Sequence, residues 1–184
     1  TYDLTDTPMQ ISFDILETDL WFWVIPFNNG VTSLGFVGNR EKYFGDFEGD
    51  GVDVEAEFQK MISKSEKFRT RFANLNFKFK PFVHRNYTKF SESFYGDRFV
   101  LTGNTTEFLD PIFSSGVAFA TESGLKAAKL VDKQLKGSDV DWNTEYVKHL
   151  EQGINVFRTY VNEWYTGNLQ KIFFHANVNP LMKK

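Results

Sequence analysis

Between Phe99 and Ala128 the chain reads FVLTGNTTEFLDPIFSSGVAFATESGLKAA: a short apolar strand, Phe99–Thr102, then Gly103, a loop with one proline, Ser114-Ser115-Gly116, and an Ala-rich run. Strand, tight loop and helix start follow one another without a spacer. Such a succession puts unpaired backbone N–H groups, and the positive end of a helix, at the mouth of a sheet. That place suits an anion or the polar edge of a cofactor. Val117, Ala118, Ala120, Leu125, Ala127, Ala128, Leu130 and Val131 then make a helix able to lie close against a partner. On spacing alone the stretch reads equally as a strand–helix crossover with a crowded turn.

The preceding residues read as sheet followed by one helix. Met9–Leu16 alternates as a strand does, and Leu20–Phe27 and Gly30–Gly38 give two more strands joined by Asn28-Asn29-Gly30. Asn and Gly tolerate positive φ, so an antiparallel hairpin is expected there. Trp21, Trp23 and Ile25 would share one face, and Phe22, Val24 and Pro26 the other. Two indoles two residues apart make a flat apolar wall. From Val54 to Phe72, apolar residues at helical spacing predict an amphipathic helix. Phe77–His84 (FKFKPFVH) alternates apolar and basic and predicts a strand with one wet face, with Pro81 at an edge or bend. Tyr87–Tyr95 gives a further short strand.

Beyond the opening stretch, the helix that starts near Ser115 should stop at Lys136-Gly137, where glycine is the expected terminator. Ser138–Asp141 caps a long one-sided helix, Trp142–Tyr165, which Gly167-Asn168 breaks before a short helix, Leu169–His175, and a polar tail. The expected architecture is α+β, an antiparallel sheet with flanking helices. It divides into a sheet region with one helix, 1–98, a strand–loop–helix, 99–136, and a helical region, 137–184.

Several chemistries are excluded or weak. A net charge of −3 gives no bulk electrostatic case for nucleic acid. No apolar run approaches the roughly 18 residues of a membrane span, and TYDLTDTPMQ has neither the basic nor the apolar part of a signal peptide. Zero cysteines remove disulfides, Cys–metal sites and thiol catalysis, and the expected compartment is the cytoplasm. His84, His149 and His175 form no close metal pair. Asp46–Glu57 approaches a calcium loop, with Gly51 at the sixth place and Glu57 at the twelfth. Glu48 is too long for the third ligand, Asp53 stands where an apolar residue belongs, and no helix is expected ahead of it. The reading is a solvated acidic loop entering a helix, and no metal site is assigned. Ser114 and Ser115 lack the G-x-S-x-G elbow of a hydrolase. An aromatic content of 17%, with 21 Phe, exceeds what a minimal core needs and points to a pocket or a large interface.

Two motifs carry a resemblance. Phe108-Leu-Asp-Pro111-Ile-Phe-Ser114-Ser-Gly116 matches the FxxPxxSxG pattern of flavin-dependent halogenases, and Trp21-Phe-Trp23-Val-Ile25-Pro26 matches their WxWxIP pattern, in the right order. The chain thus resembles the C-terminal part of a two-domain FAD flavoprotein of the halogenase and monooxygenase type, with a glutathione-reductase-like fold. The resemblance implies FAD as cofactor. Gly103 and Asn104 would meet the ribityl chain, where the family has Gly-Asp, and Asp110 and Pro111 would lie against the ring system. The turn from Ser114, with the amides of Ser115 and Gly116, would face the ring edge, where chloride is held. Trp21 and Trp23 would lie near the substrate tunnel. Phe113 occupies the place of a glutamate in tryptophan halogenases and of an apolar residue in phenol- and pyrrole-type enzymes.

The implied reaction uses reduced flavin, oxygen and halide to make hypohalous acid, which reaches a small aromatic substrate past the two indoles. A flavin reductase is an implied partner. No G-x-G-x-x-G occurs in the chain, so the Rossmann part that grips the FAD pyrophosphate, and the family's lysine within it, are expected in an N-terminal half absent from this sequence. Alone, the chain is expected to be inactive. The other readings are a non-halogenating flavin monooxygenase, dehydrogenase or reductase on the same scaffold, and a non-catalytic aromatic-lined binding module.

Overall fold

Asn28, Asn29 and Gly30 close the first hairpin as their backbone preferences demand. Gly30 takes φ +79°, Phe27 N–H donates to Val31 O at 2.8 Å, and the Asn29 side chain accepts from Val31 N–H. The turn joins β2 (Leu20–Pro26) to β3 (Thr32–Gly38), and β1 (Ser12–Glu17) pairs with the other edge of β2, giving an antiparallel sheet in the order β1-β2-β3. The computed structural model describes residues 10–47 and 51–174, so Met9 of the expected first strand lies outside them. The chain falls into two units, Thr1–Val83 and His84–Lys184.

In the first unit Phe22 and Val24 are buried with Ile62, Phe68 and Phe72. A short helix, α1 (Arg40–Tyr43), capped by the Asn39 side chain, precedes the acidic loop, and a 3-10 turn at Gly45–Phe47 leads into it, correcting the expectation that no helix lies ahead. Glu48–Asp50 lie outside the described residues. The Asp53 carboxylate is engaged as the N-cap of α2 (Val54–Ser63), accepting from Glu55 and Ala56 N–H.

The expected helix to Phe72 stops at Ser63. Fully buried Ser65 donates to the Asp14 carboxylate and accepts from Phe68 N–H, turning the chain. Two helical bonds, Arg69 N–H to Ser65 O and Phe72 N–H to Phe68 O, preserve the four-residue spacing that sends Phe68 and Phe72 inward. The strand expected at Phe77–His84 is absent as well: that segment carries no ladder. The alternation does not even sort wet from dry side chains, since Phe79 and Phe82 are 76% and 80% exposed beside exposed Lys78 and Lys80.

The second unit opens with extended chain. β4 (Lys89–Phe90) pairs with β7 (Glu107–Phe108), and β5 (Tyr95–Gly96) with β6 (Phe99–Val100). β6 is two residues shorter than expected, because Thr102 already belongs to the turn that follows. α3 (Gly116–Leu135) ends where Gly137 takes φ +86° with 6→1 and 5→2 bonds from Ser138 and Gly137 N–H to Lys133 and Gln134 O. The next helix begins as a π turn, Asn143–Val147, and continues as α4 (Lys148–Tyr165). Gly167, at φ +79°, separates it from α5 (Asn168–Phe173). Ala127 and Leu130 of α3 pack with Tyr146, Leu150, Ile154 and Phe94. Phe94 packs among these helical residues, and the β4–β7 ladder joins Lys89–Phe90 to Glu107–Phe108.

Candidate functional site

The loop between β6 and α3 is built from backbone that few residues tolerate. Gly103 takes φ +58°, and a Cβ there would lie 3.1 Å from the Ala120 Cβ, so glycine serves both the left-handed turn and the close approach of α3. Its N–H donates to the Ser123 hydroxyl at 2.8 Å, and its carbonyl accepts from Thr106 N–H and from the Thr106 hydroxyl. Thr105 ties back to Thr102, its hydroxyl donating to the carbonyl at 2.6 Å and accepting from the N–H. Thr105 and Thr106 are thus the fasteners of this turn. Glu107 meets Arg158 of α4 through both carboxylate oxygens, at 2.6 and 2.8 Å. Asn104 stands at the turn's exposed tip, and its carboxamide makes no hydrogen bond among the described residues.

Asp110 is 7% exposed. One carboxylate oxygen accepts from Ile112 N–H at 2.9 Å, starting the 3-10 turn Pro111–Phe113. The other accepts from the hydroxyls of Tyr87, at 3.2 Å, and Tyr165, at 3.0 Å. Burial pushes the Asp110 carboxyl above its ordinary range, and the Ile112 N–H and the two hydroxyls hold it down in part. The Tyr87 hydroxyl is pushed up by burial first, then by the Asp110 charge. Phe113 turns onto α4, its ring 6.0 Å from those of Tyr160 and Trp164.

Ser114 then adopts the left-handed conformation, φ 50° and ψ 30°, and redirects the chain into α3. The first helical bond runs from Phe119 N–H to Ser115 O. The Ser115 side chain, though buried, makes no capping bond. The amides of Ser115, Gly116, Val117 and Ala118 therefore have no hydrogen-bond partner among the described residues. A Cβ on Gly116 would touch the Phe108 ring at 3.4 Å and Asn104 Oδ1 at 3.6 Å. The fold thus brings Asn104, Phe108 and the free amides of Ser115 and Gly116 together. A left-handed residue ahead of an uncapped 20-residue helix makes a concave set of N–H groups suited to an anion or an electron-rich ring edge.

Trp21 and Trp23, in the first unit, share a face of β2 with ring centroids 6.0 Å apart. Trp21 is buried and Trp23 partly so. The Trp23 indole lies flat across its cross-strand neighbour Gly35, where a Cβ would fall 2.0 Å from a ring carbon, and its N–H donates to the Ser33 hydroxyl at 3.1 Å.

Among the described residues no group of three His, Asp or Glu side chains could hold a metal ion, and no helix is long and apolar enough to cross a membrane. Sequence reasoning missed Tyr87, Ser123 and Tyr165. A serine inside the apolar face of α3 was a legible signal for Ser123. Nothing local marks the two tyrosines.

No protein-family model matches the chain. Over 126 residues it is 30% identical to the 1H-pyrrole-2-carbonyl-[peptidyl-carrier protein] brominase of Pseudoalteromonas luteoviolacea, covering 68% of this chain and 30% of that protein. Over 178 residues it is 26% identical to the corresponding chlorinase of Pseudomonas fluorescens, covering 90% and 37%. The crystal structure of a flavoprotein/dehydrogenase from Cytophaga hutchinsonii superposes with a TM-score of 0.86 at 44% identity, over 92% of this chain and 41% of that one. The chain therefore spans less than half the length of each of these relatives. It belongs with the flavin-dependent halogenases and the flavoproteins that share their fold, of which it represents a part.

Proposed function

We infer that this chain, joined to an FAD-binding half, takes part in flavin-dependent halogenation of a small aromatic substrate. The observation that carries the reading is the uncapped start of α3, whose Ser115 and Gly116 amides open beside Asn104 and Phe108. These residues fit FAD. The Asn104 carboxamide, without a hydrogen bond among the described residues, can bond a ribityl hydroxyl without carrying charge, and the two amides can meet the ring edge or a halide beside it. A flavin held there would supply the oxidising chemistry that halogenation needs. The chain's own part is to hold the halide on fixed N–H groups, to keep the Asp110–Ser114 turn rigid and to offer the apolar Trp21–Trp23 wall to an aromatic substrate. Pro111 and Phe113 complete the turn; an apolar Phe113 favours a phenol- or pyrrole-type ring over tryptophan.

The missing half has a surface to meet. Val117, Leu125 and Leu135 of α3 are 76%, 54% and 82% exposed, and Val117, Gly124, Ala128, Val131 and Leu135 recur on one face. A flavin reductase would supply reduced FAD. The pyrrole substrates of the two curated relatives are delivered on a carrier protein, and the same delivery is proposed here. A second reading, a flavin dehydrogenase or monooxygenase without halogenation, has the 44% identical flavoprotein/dehydrogenase in its favour. The test is mass spectrometry of products from the chain joined to its FAD-binding half, with reductase, oxygen and pyrrole-loaded carrier protein. Brominated or chlorinated product that vanishes when halide is omitted supports halogenation; oxidised product indifferent to halide supports the second reading.

A further inference from the structure

The charge of the chain is unevenly distributed. Between residues 64 and 83 stand six Lys or Arg and one acid, Glu66, in a chain whose net charge is −3. All six cations are exposed. Lys67 and Arg71 ride over the rings of Phe68 and Phe72, at 5.0 and 5.1 Å, so their stems cover the core while their charges face outward. The segment is anchored twice on α2: Gln59 donates to Phe72 O at 2.8 Å, and the Phe77 ring meets Phe58 edge-on at 5.9 Å. From that second anchor the chain leaves as Lys78-Phe79-Lys80-Pro81-Phe82, without a ladder partner and with both phenylalanines largely in solvent. Exposed aromatics beside lysines that have no ion pair among the described residues are poor for a free surface and good for an interface, where rings supply contact area and cations supply steering.

We propose that residues 64–82 dock an acidic carrier protein that brings the tethered aromatic substrate. The proposal rests on the halogenation reading and adds to it the surface and the partner. A carrier-bound substrate obliges the enzyme to bind a second protein, and charge complementarity makes an acidic one the match for this face. Lys78 and Lys80 give orientation and on-rate, while Phe79 and Phe82 give the apolar contact that slows release.

The test uses the full chain with its flavin-binding half and, as probe, the pyrrole-loaded carrier protein of the Pseudomonas fluorescens chlorinase, titrated by calorimetry at low salt and at about 0.3 M salt. Expected is binding that weakens about tenfold across that range. It should weaken at least about tenfold further in the double variant Lys78→Glu, Lys80→Glu, with circular dichroism unchanged. The control double variant Lys133→Glu, Lys136→Glu should bind as the parent does. Equal binding by the Lys78/Lys80 variant, or no carrier binding at low salt, overturns the proposal, as does tighter binding to phosphatidylglycerol vesicles than to the carrier. Halide-dependent product from a free pyrrole substrate with no carrier binding would sink the docking surface and leave the halogenation reading intact. Carrier binding that depends on Lys78 and Lys80, without halide-dependent product, would do the reverse.

Discussion

The buried amide of Gly103 donates to the hydroxyl of Ser123, 2.8 Å away and twenty residues further along the chain. The same hydroxyl donates to Phe119 O, one turn back along α3. A single side chain thus fastens the left-handed turn to the helix that starts the candidate site. Ser123→Ala leaves the Gly103 N–H buried without a partner, a cost of about 1–3 kcal/mol. A domain of this size should then lose roughly 2–4 °C in Tm for each kcal/mol. Gly103→Ala should cost more, because it adds positive-φ strain to the 3.1 Å contact with Ala120. Thermal unfolding followed by circular dichroism measures both. A Ser123→Ala variant as stable as the parent would remove the fastener.

Gly116 separates site from scaffold. A Cβ there makes ordinary contact with Phe108 and with Asn104 Oδ1, so Gly116→Ala should fold, and the better helix former should hold Tm or raise it slightly. The methyl group intrudes where the amides open. Flavin retention and halide affinity, measured with the FAD-binding half present, should fall at least about tenfold, equal to about 1.4 kcal/mol. Unchanged flavin retention and halide affinity would place the cofactor edge elsewhere.

Asp110 predicts a pH dependence whose sign follows from burial. Its folded-state pKa is raised, so its contribution to stability is fully present below the unfolded carboxylate value, about 3.9, and is lost as pH rises through the folded value. At neutral pH the carboxylate depends on its donors. Tyr165→Phe and Tyr87→Phe should each cost about 1–3 kcal/mol at pH 7 and less at about pH 4, where the group is closer to neutral. Urea midpoints of each variant at the two pH values give the comparison. A loss as large at low pH as at neutral pH would mean that the hydroxyls do not serve the charge.

How far all this could be read from residues alone depends on whether the signal was local. Asn28-Asn29-Gly30 and Gly137 declare a turn and a helix end through their own φ preferences, and both stand as expected. Gly103 and Ser114-Ser115-Gly116 likewise mark a crowded, N–H-rich loop. The end of α2 was concealed because Phe68 and Phe72 keep helical spacing across a break made by Ser65, whose partner Asp14 lies 51 residues away. Alternation at Phe77–His84 is silent on whether a strand stands alongside to pair, and without one Phe79 and Phe82 stay exposed with the lysines. Tyr87 and Tyr165 converge on Asp110 from 23 and 55 residues away. No periodicity encodes a meeting of that kind.

Trp23 and Gly35 give the last prediction, on the first unit. The indole occupies the space that any side chain at position 35 would need, with three ring atoms within 2.0–2.6 Å of the ideal Cβ. Gly35→Ala must therefore lift the ring, break the bond from Trp23 to Ser33 and disturb its packing beside Trp21. Overpacking of this kind costs about 1–3 kcal/mol. The near-ultraviolet circular dichroism of the tryptophans should weaken and their emission should shift to the red as the indole becomes wetter. Ser33→Ala removes only the hydrogen bond, so it should lower stability by about 1 kcal/mol and leave the ring over Gly35. If the two variants gave the same spectrum, the flat packing of Trp23 on Gly35 would not be what shapes this wall.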